Sequence, residues 1–232
     1  MSKDCRIGRR QHFGYIAAAA ALILAPACSP PPPDETGYVE WLVEDRAIKN
    51  EMFAEGPDSP VPLDRRSWML PIRYYEPTLS YRVPASLNIA EDQPVFEIPT
   101  STGQLRSMQR VGTLEFMLNG KPRTLSALVE LPVQNATRLF IPFRDETSGT
   151  ETYPAGRYLD LDRTPTGIYD LDFNRAYHPT CYYNEEYDCP FPPPENRLTT
   201  AVRAGEKLPP EGERLIPIGL SKPNTAETDG GH

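Results

Sequence analysis

The sequence contains few of the residues that metal sites and nucleophilic catalysis usually require. Its 232 residues include 3 histidines and 4 cysteines, and no glycine-rich segment has the spacing of a phosphate or dinucleotide site. The apolar run from Tyr15 to Leu24 is shorter than the ~20 residues that a membrane-spanning helix needs. We therefore expect no cofactor and no metal ion, and we do not expect this run to span a membrane.

Basic residues are also scarce. The chain has 24 lysines and arginines against 32 aspartates and glutamates, which gives a formal net charge of −8. Lys3, Arg6, Arg9 and Arg10 account for four of the basic residues, so the rest of the chain is more acidic still. No later basic run could neutralise several phosphates in a row, which argues against nucleic acid or an anionic bilayer surface as the principal partner.

The first 27 residues have the pattern of an export signal. A basic start is followed by the apolar run and then by Ala25-Pro26-Ala27, small residues that a signal peptidase accepts directly before Cys28. This pattern resembles a bacterial lipobox. We therefore predict cleavage after residue 27, lipidation of Cys28, and a membrane-anchored lipoprotein at the periplasmic or outer surface of the cell envelope. The alternative is an ordinary Ala-x-Ala cleavage that releases a soluble, secreted protein.

Two cysteines, Cys181 and Cys189, remain once the leader and the acylation site are set aside. Outside the cytoplasm such a pair usually forms a disulfide, and we predict one here. A metal site that adds His178 to the two cysteines is the alternative, but the sequence offers no fourth ligand at a typical spacing.

The chain is predicted to form one domain. The proline-rich residues 28–36 are expected to be a tether, residues 37–220 a single folded domain, and residues 221–232 a flexible polar tail. Within the domain, Tyr38 to Glu55 has helical spacing of its apolar residues, with Thr36 as the cap and Gly56 as the end.

After Gly56 the pattern changes to alternation with a period of two, as in short strands. With 27 prolines in the chain, further long helices are not expected. We predict a mainly β fold, an antiparallel sandwich or partly open barrel with one N-terminal helix, in which Asn119-Gly120 forms a hairpin turn. The predicted strands are 70–74, 81–87, 95–99, 109–118, 123–131, 138–143, 157–162 and 167–173.

Several segments resemble a known family. They read LPIRYYEPTLSYRVPASL from residue 70, VGTLEFMLNGK from 111, PFRDETSGTETYPAGRYLDL from 142, LDFNRAYHPTCYYNEEYDCPFPPPENRL from 171 and AVRAGEK from 201. The chain is similar over residues 47–207 to the bacterial family known as domain of unknown function 1684, in a short form. The family has no established reaction, and it has Asn where this chain has His178.

Charged and aromatic residues concentrate where the predicted strands end. Such groups either pin loops to one another or line a pocket for a small anionic or polar ligand. The candidate ligand-binding residues are Arg144, Asp145, Glu151, Tyr153, Arg157, Tyr158, Asp172, Asn174, Arg175, Glu195, Asn196 and Arg197.

We therefore predict an envelope lipoprotein that binds a ligand or an envelope protein, or that has a structural role. The alternative is a hydrolase-like enzyme in which Asp145 and Glu151 supply acid–base chemistry. Ser148-Gly149 is only a fragment of a nucleophile-elbow motif, and in the predicted domain only His178 could activate that serine.

Overall fold

A computed structural model of the protein describes residues 35–132 and 137–210. The predicted leader, the lipidation site Cys28 and the predicted tail 221–232 lie outside these residues. In the described part of the chain, no helix is both long enough and apolar enough to cross a membrane.

The predicted N-terminal helix is present as α1 (Glu35–Glu55). It begins three residues before the predicted start, so Thr36 lies inside the first turn rather than before it. At its other end the N–H of Gly56 donates to the Met52 carbonyl oxygen (2.9 Å), as predicted for the terminating residue.

The face of α1 that packs on the domain contains only some of the apolar residues whose helical spacing predicts this helix. Leu42 is buried, but Trp41, Ile48 and Met52 are 45%, 53% and 61% exposed. Polar side chains of α1 contact the domain instead of these apolar ones. Arg46 donates to the carbonyl oxygens of Tyr75 and Asn174 at 3.0 and 3.1 Å. Polar contacts therefore help to position the helix, and apolar periodicity cannot reveal them.

The strands β2 to β8 lie close to the residue ranges predicted from the sequence. The short helices are α2 (Arg66–Met69) and α3 (Thr180–Tyr183). The strands are β1 (Arg73–Tyr74), β2 (Arg82–Ile89), β3 (Val95–Pro99), β4 (Leu105–Leu118), β5 (Lys121–Glu130), β6 (Arg138–Phe143), β7 (Arg157–Asp162), β8 (Ile168–Asp172) and β9 (Glu206–Lys207).

Seven strands form one antiparallel sheet in the order β7-β6-β5-β4-β2-β8, with β3 paired to β4. β1 and β9 form a separate pair. The β4–β5 hairpin turns at Asn119 and Gly120, whose φ values of 52° and 71° suit a type I′ turn. The sheet curls into a nearly closed barrel, which confirms the predicted mainly β fold with one N-terminal helix.

The barrel closes at one end of its two outermost strands. Tyr158 at the start of β7 and Tyr177 after β8 exchange backbone hydrogen bonds of 2.9 and 3.0 Å. Beyond that bridge β7 and β8 are not paired with each other. A gap in the barrel wall therefore lies between the remaining lengths of these two strands.

The burial of β5 departs from simple alternation of buried and exposed residues. Leu125, Ala127 and Val129 on one face of β5 are buried, and Ser126 and Leu128 on the other face are buried too. The turn at Asn196 covers that second face, and its side chain bonds both backbone groups of Ser126 at 2.6 and 3.0 Å. Both faces of β5 are therefore enclosed.

Candidate functional site

A groove of about 740 Å³ lies at the gap in the barrel wall. This volume is within the ~300–1,000 Å³ typical of small-molecule sites. Its lining residues come from both unpaired edges, from the start of α1 and from neighbouring strands: Gly37, Tyr38, Trp41, Arg82, Arg138, Leu159, Asp160, Leu161, Asp162, Thr164, Tyr169, Asp170, Asp172, Arg175 and Tyr177. We call this site the β7/β8 groove.

Two Arg–Asp pairs stand at the two sides of the β7/β8 groove. On the β8 side, Arg82 Nη2 lies 2.6 Å from Asp170 Oδ2. On the β7 side, Arg138 Nε lies 3.1 Å from Asp162 Oδ1. The strand register produces the second pair, because Arg138 and Asp162 are directly opposite each other on β6 and β7. All four side chains are at least 40% exposed, so they are accessible to a ligand.

Two further carboxylates of the groove accept hydrogen bonds from tyrosines. Tyr177 Oη donates to Asp160 Oδ2 (2.8 Å), and Tyr38 Oη donates to Asp172 Oδ2 (2.8 Å). Burial first, and then the adjacent carboxylate charge, raises the pKa of both tyrosines well above the ordinary value. Both phenols therefore stay protonated and keep donating to these carboxylates.

Arg175 is the third cation of the groove. Its guanidinium lies 5.5 Å from the ring centre of Trp41, which is a cation–π contact. Among the described residues, it has no carboxylate partner within salt-bridge distance. Arg175 is therefore the groove cation whose charge is not already neutralised by an ion pair.

The residues predicted from the sequence as a ligand site lie mostly outside the β7/β8 groove. Only Asp172 and Arg175 line the groove. Glu151 is bound by Arg203 and Tyr75, and Glu195 by Arg110. The backbone of Arg144 bonds the segment that contains Arg197.

Arg157 and Asp145 form a buried structural pair. Arg157 is fully buried, and its Nη2 donates to Asp145 Oδ2 (2.8 Å) and to the Val202 carbonyl oxygen (2.7 Å). Its Nη1 donates to the carbonyl oxygens of Ala204 and Glu206. This guanidinium holds the segment before β9 in place, and because it is fully buried it is not exposed to a ligand.

The other predicted site residues also have structural contacts. The buried Asn174 side chain bonds both backbone groups of Thr78, at 2.8 and 3.2 Å. Tyr158 Oη donates to the Pro190 carbonyl oxygen (2.6 Å), and Tyr153 packs beside Tyr182. Ser148 Oγ accepts the Asp145 N–H (3.1 Å), so it caps a loop instead of facing the groove.

Sequence reasoning missed most of the groove residues. The signal was present as two short strands with aspartate at alternate positions, LDLD at residues 159–162 and YDLD at 169–172. Asp172, which was predicted as a ligand-binding residue, is buried because the start of α1 covers it.

A second polar cluster lies beneath α1. The buried Glu206 carboxylate accepts hydrogen bonds from Lys49 Nζ (2.6 Å), the His178 N–H (2.7 Å) and Tyr183 Oη (2.9 Å). Burial alone would raise the pKa of Glu206, but the Lys49 charge and these hydrogen bonds hold it below its ordinary value.

His178 belongs to this cluster as a neutral side chain. Burial lowers its pKa to about 3. Its Nε2 accepts the backbone N–H of Tyr153 (3.3 Å), so this nitrogen is already used. Among the described residues, no three His, Cys, Asp or Glu side chains are grouped as metal ligands.

Cys181 and Cys189 are brought together as two buried thiols and not as the predicted disulfide. The backbone N–H of Cys181 donates to Cys189 Sγ (3.2 Å). A hydrogen bond from the Cys181 thiol lowers the pKa of Cys189 to about 6 and raises that of Cys181.

Comparison with known proteins identifies a family whose function is unknown. A family model described as a protein of unknown function (DUF1684) matches residues 70–207. A solution NMR structure of an uncharacterized protein from Haloarcula marismortui is similar, with 35% identity and a TM-score of 0.60, over 75% of this chain and 96% of the other. No curated protein matches.

The family model matches from residue 70, whereas the sequence resemblance was expected to begin at residue 47. That the chain is bacterial stays a prediction. On the family match and on the 35% identity over most of both chains, this protein belongs to the DUF1684 family of proteins of unknown function.

Proposed function

We propose that this protein is a lipid-anchored protein of the cell envelope that binds a small polar ligand in the β7/β8 groove. The groove itself carries the binding proposal. It has the volume of a small-molecule site and presents accessible donors and acceptors on both sides. By contrast, Asp145 and Glu151, the carboxylates considered for acid–base catalysis, are engaged by Arg157 and Arg203.

The binding proposal is tested by a ligand screen on the purified mature protein. We expect at least one small polar compound to raise the unfolding temperature of the wild type, because a ligand that binds only the folded state stabilises it. Arg175→Ala should reduce that shift, since Arg175 lines the groove. Arg197→Ala is the matched control: this exposed arginine lies outside the groove, and an equal loss in both variants would contradict the proposal.

The envelope location rests on the leader and on Cys28. Acyl chains on this cysteine would hold the mature chain at a membrane, since each buried methylene contributes about 0.8 kcal/mol. Cys28→Ala should move the protein from the membrane fraction to the soluble fraction. An unchanged distribution would rule out the lipid anchor, and an intact N-terminus on the cellular protein would rule out export.

In such an oxidising compartment the two buried thiols are expected to close as a disulfide. Cys181 and Cys189 already touch, so little rearrangement is needed. Closing this short loop would stabilise the fold by roughly 2–3 kcal/mol. Alkylation of freshly exported, denatured protein should label neither cysteine, and two labelled thiols would refute the bridge.

A further inference from the structure

Each Arg–Asp pair of the β7/β8 groove offers a hydrogen-bond donor beside an acceptor. Arg82 uses Nε and Nη2 on one oxygen, Asp170 Oδ2, at 2.8 and 2.6 Å. Arg138 uses Nε on Asp162 Oδ1 at 3.1 Å. A guanidinium has five N–H donors and a carboxylate has two oxygens, so each pair retains both functions for a ligand. Two adjacent hydroxyl groups, each of which donates and accepts, match this pattern.

The charge balance of the groove argues against a strongly charged ligand. Two of its three arginines are neutralised by Asp170 and Asp162. Arg175 alone then faces the carboxylates of Asp160 and Asp172, whereas phosphate sites usually gather several cations and backbone N–H groups. A cationic ligand would be repelled by Arg175, which already covers one part of Trp41, so a stacked ring has to use the remaining exposed part of the indole. The lining therefore favours a neutral ligand.

Aromatic rings supply flat apolar surface at the same place. Trp41 is 45% exposed at the groove, and Tyr38 lies beside it with ring centres 6.3 Å apart. Tyr169 adds a buried ring to the lining. Aromatic side chains combine a large apolar contact with few rotatable bonds, which suits the C–H face of a ring that carries hydroxyls on its edge.

We infer that the β7/β8 groove binds a neutral carbohydrate, a short oligosaccharide whose ring stacks near Trp41 and whose hydroxyls bond the two Arg–Asp pairs. This inference rests on the proposed binding function and names the ligand class. The groove volume of about 740 Å³ is at the upper part of the ~300–1,000 Å³ range, so it has room for more than one sugar ring.

The test is a titration of the purified mature protein with neutral oligosaccharides and with charged probes. The neutral set is cellotetraose, maltotetraose and N-acetylchitotetraose together with an array of neutral glycans. The charged set is inorganic phosphate, citrate and choline. We expect saturable binding of a neutral member, followed by calorimetry and by tryptophan fluorescence, because Trp41 lines the groove.

Matched variants locate the binding. Trp41→Ala should weaken it about tenfold, since loss of one aromatic contact of about 1.4 kcal/mol is tenfold in affinity. Asp162→Asn should weaken it as well. Met52→Ala is the control, because this residue is 61% exposed on the same helix but does not line the groove. All three side chains are exposed, so the variants should fold.

The outcomes separate the ligand class from the binding function. Binding of a charged probe that depends on Arg175, with no neutral glycan bound, would overturn the carbohydrate inference and keep the proposed binding function. Failure of every probe and of the broader ligand screen would overturn both. Carbohydrate binding that Trp41→Ala and Asp162→Asn leave unchanged would place the site elsewhere and overturn the inference.

Discussion

Arg157 shows how a charged side chain can serve the core of this barrel. It is the largest of the fully buried side chains, and it joins Asp145 to the carbonyl oxygens of the segment before β9. Burying two charges is favourable only where the remaining donors and acceptors are satisfied, as most of them are here. The pair therefore fixes a long loop to the sheet.

Replacing Arg157 should be costly, and replacing an exposed arginine should not. Arg157→Ala leaves the buried Asp145 carboxylate and the Val202 carbonyl oxygen without their partner, so we expect a loss of about 3–5 kcal/mol. Urea unfolding followed by circular dichroism measures it. Arg197→Ala is the control and should stay within about 0.5 kcal/mol of wild type. Equal stabilities for the two variants would contradict a structural role for Arg157.

His178 should make the fold sensitive to mild acid. Burial lowers its pKa from the ordinary 6.5 to about 3. Below pH 6.5 the unfolded chain therefore binds a proton that the folded chain does not. Stability is full above pH 6.5 and is lost as the pH falls towards 3, by up to about 1.4 kcal/mol per pH unit.

The matching variant is His178→Gln, because the glutamine Oε1 lies about as far from the backbone as Nε2 and can accept the Tyr153 N–H, but glutamine does not titrate. The urea concentration at the unfolding midpoint should decrease between about pH 7.5 and about pH 5.5, and this decrease should be smaller in the variant than in the wild type. The difference between the two proteins isolates His178 from other titrating groups. The same loss in both proteins would show that this histidine is not the acid-sensitive group.

At the scale of elements, the turn before β7 depends on a glycine that other residues can replace only at a cost in stability. Gly156 has a φ of 100°, and a Cβ there would overlap the Phe143 carbonyl oxygen. Gly149 has a similar φ of 92°, but apart from its chain neighbours no atom of the described residues lies within 4 Å of such a Cβ. The two positions share the backbone strain of an alanine and differ only in the overlap.

Comparing Gly156→Ala with Gly149→Ala should separate these effects. Gly149→Ala should cost about 1–2 kcal/mol through backbone strain alone. Gly156→Ala should cost about 1–3 kcal/mol more, because the added methyl group has no space. Chemical unfolding of both variants measures the difference, and equal losses would mean that the turn relaxes around the methyl group.

The sequence predicts the elements of this fold better than their partners. The bounds of β3, β6 and β7 agree with the prediction, because alternation and flanking turn residues are local signals. β9 was missed, since Glu206 and Lys207 are too few to show a period and pair only with β1, far away in the chain. The burial of Arg157 has the same cause: its carbonyl partners are 45 to 49 residues away.

The β7/β8 groove was out of reach for a related reason. Asp160, Asp162 and Asp170 are visible in the sequence, but nothing local shows that β7 and β8 are the two outer strands of one curled sheet. The Tyr158–Tyr177 bridge that closes the barrel beside them joins the start of β7 to a segment after β8 that has no regular pattern. Only the topology of the whole sheet brings these aspartates to one gap.

For the whole molecule, α1 is part of the folded unit although the family model begins after it, at residue 70. Leu42 is buried, and Asn50 Oδ1 accepts the Ile72 N–H (2.7 Å). Lys49 Nζ lies 2.6 Å from Glu206, a carboxylate that is almost wholly enclosed. Without the helix this buried charge would lose its cation.

Deletion of α1 should therefore destabilise the barrel far more than loss of the leader does. The test compares the thermal unfolding of three proteins: a chain that starts at residue 34, a chain that starts at residue 56, and the longer chain with Lys49→Met. Lys49→Met should cost about 1.5–3 kcal/mol, the usual range for one hydrogen bond to a charged group. The chain without α1 should lose more, because it also exposes the surface beneath Leu42 and frees the Ile72 N–H. If it unfolded at the temperature of the longer chain, α1 would be an appendage, and the wall that Trp41 adds to the groove would not belong to a stable site.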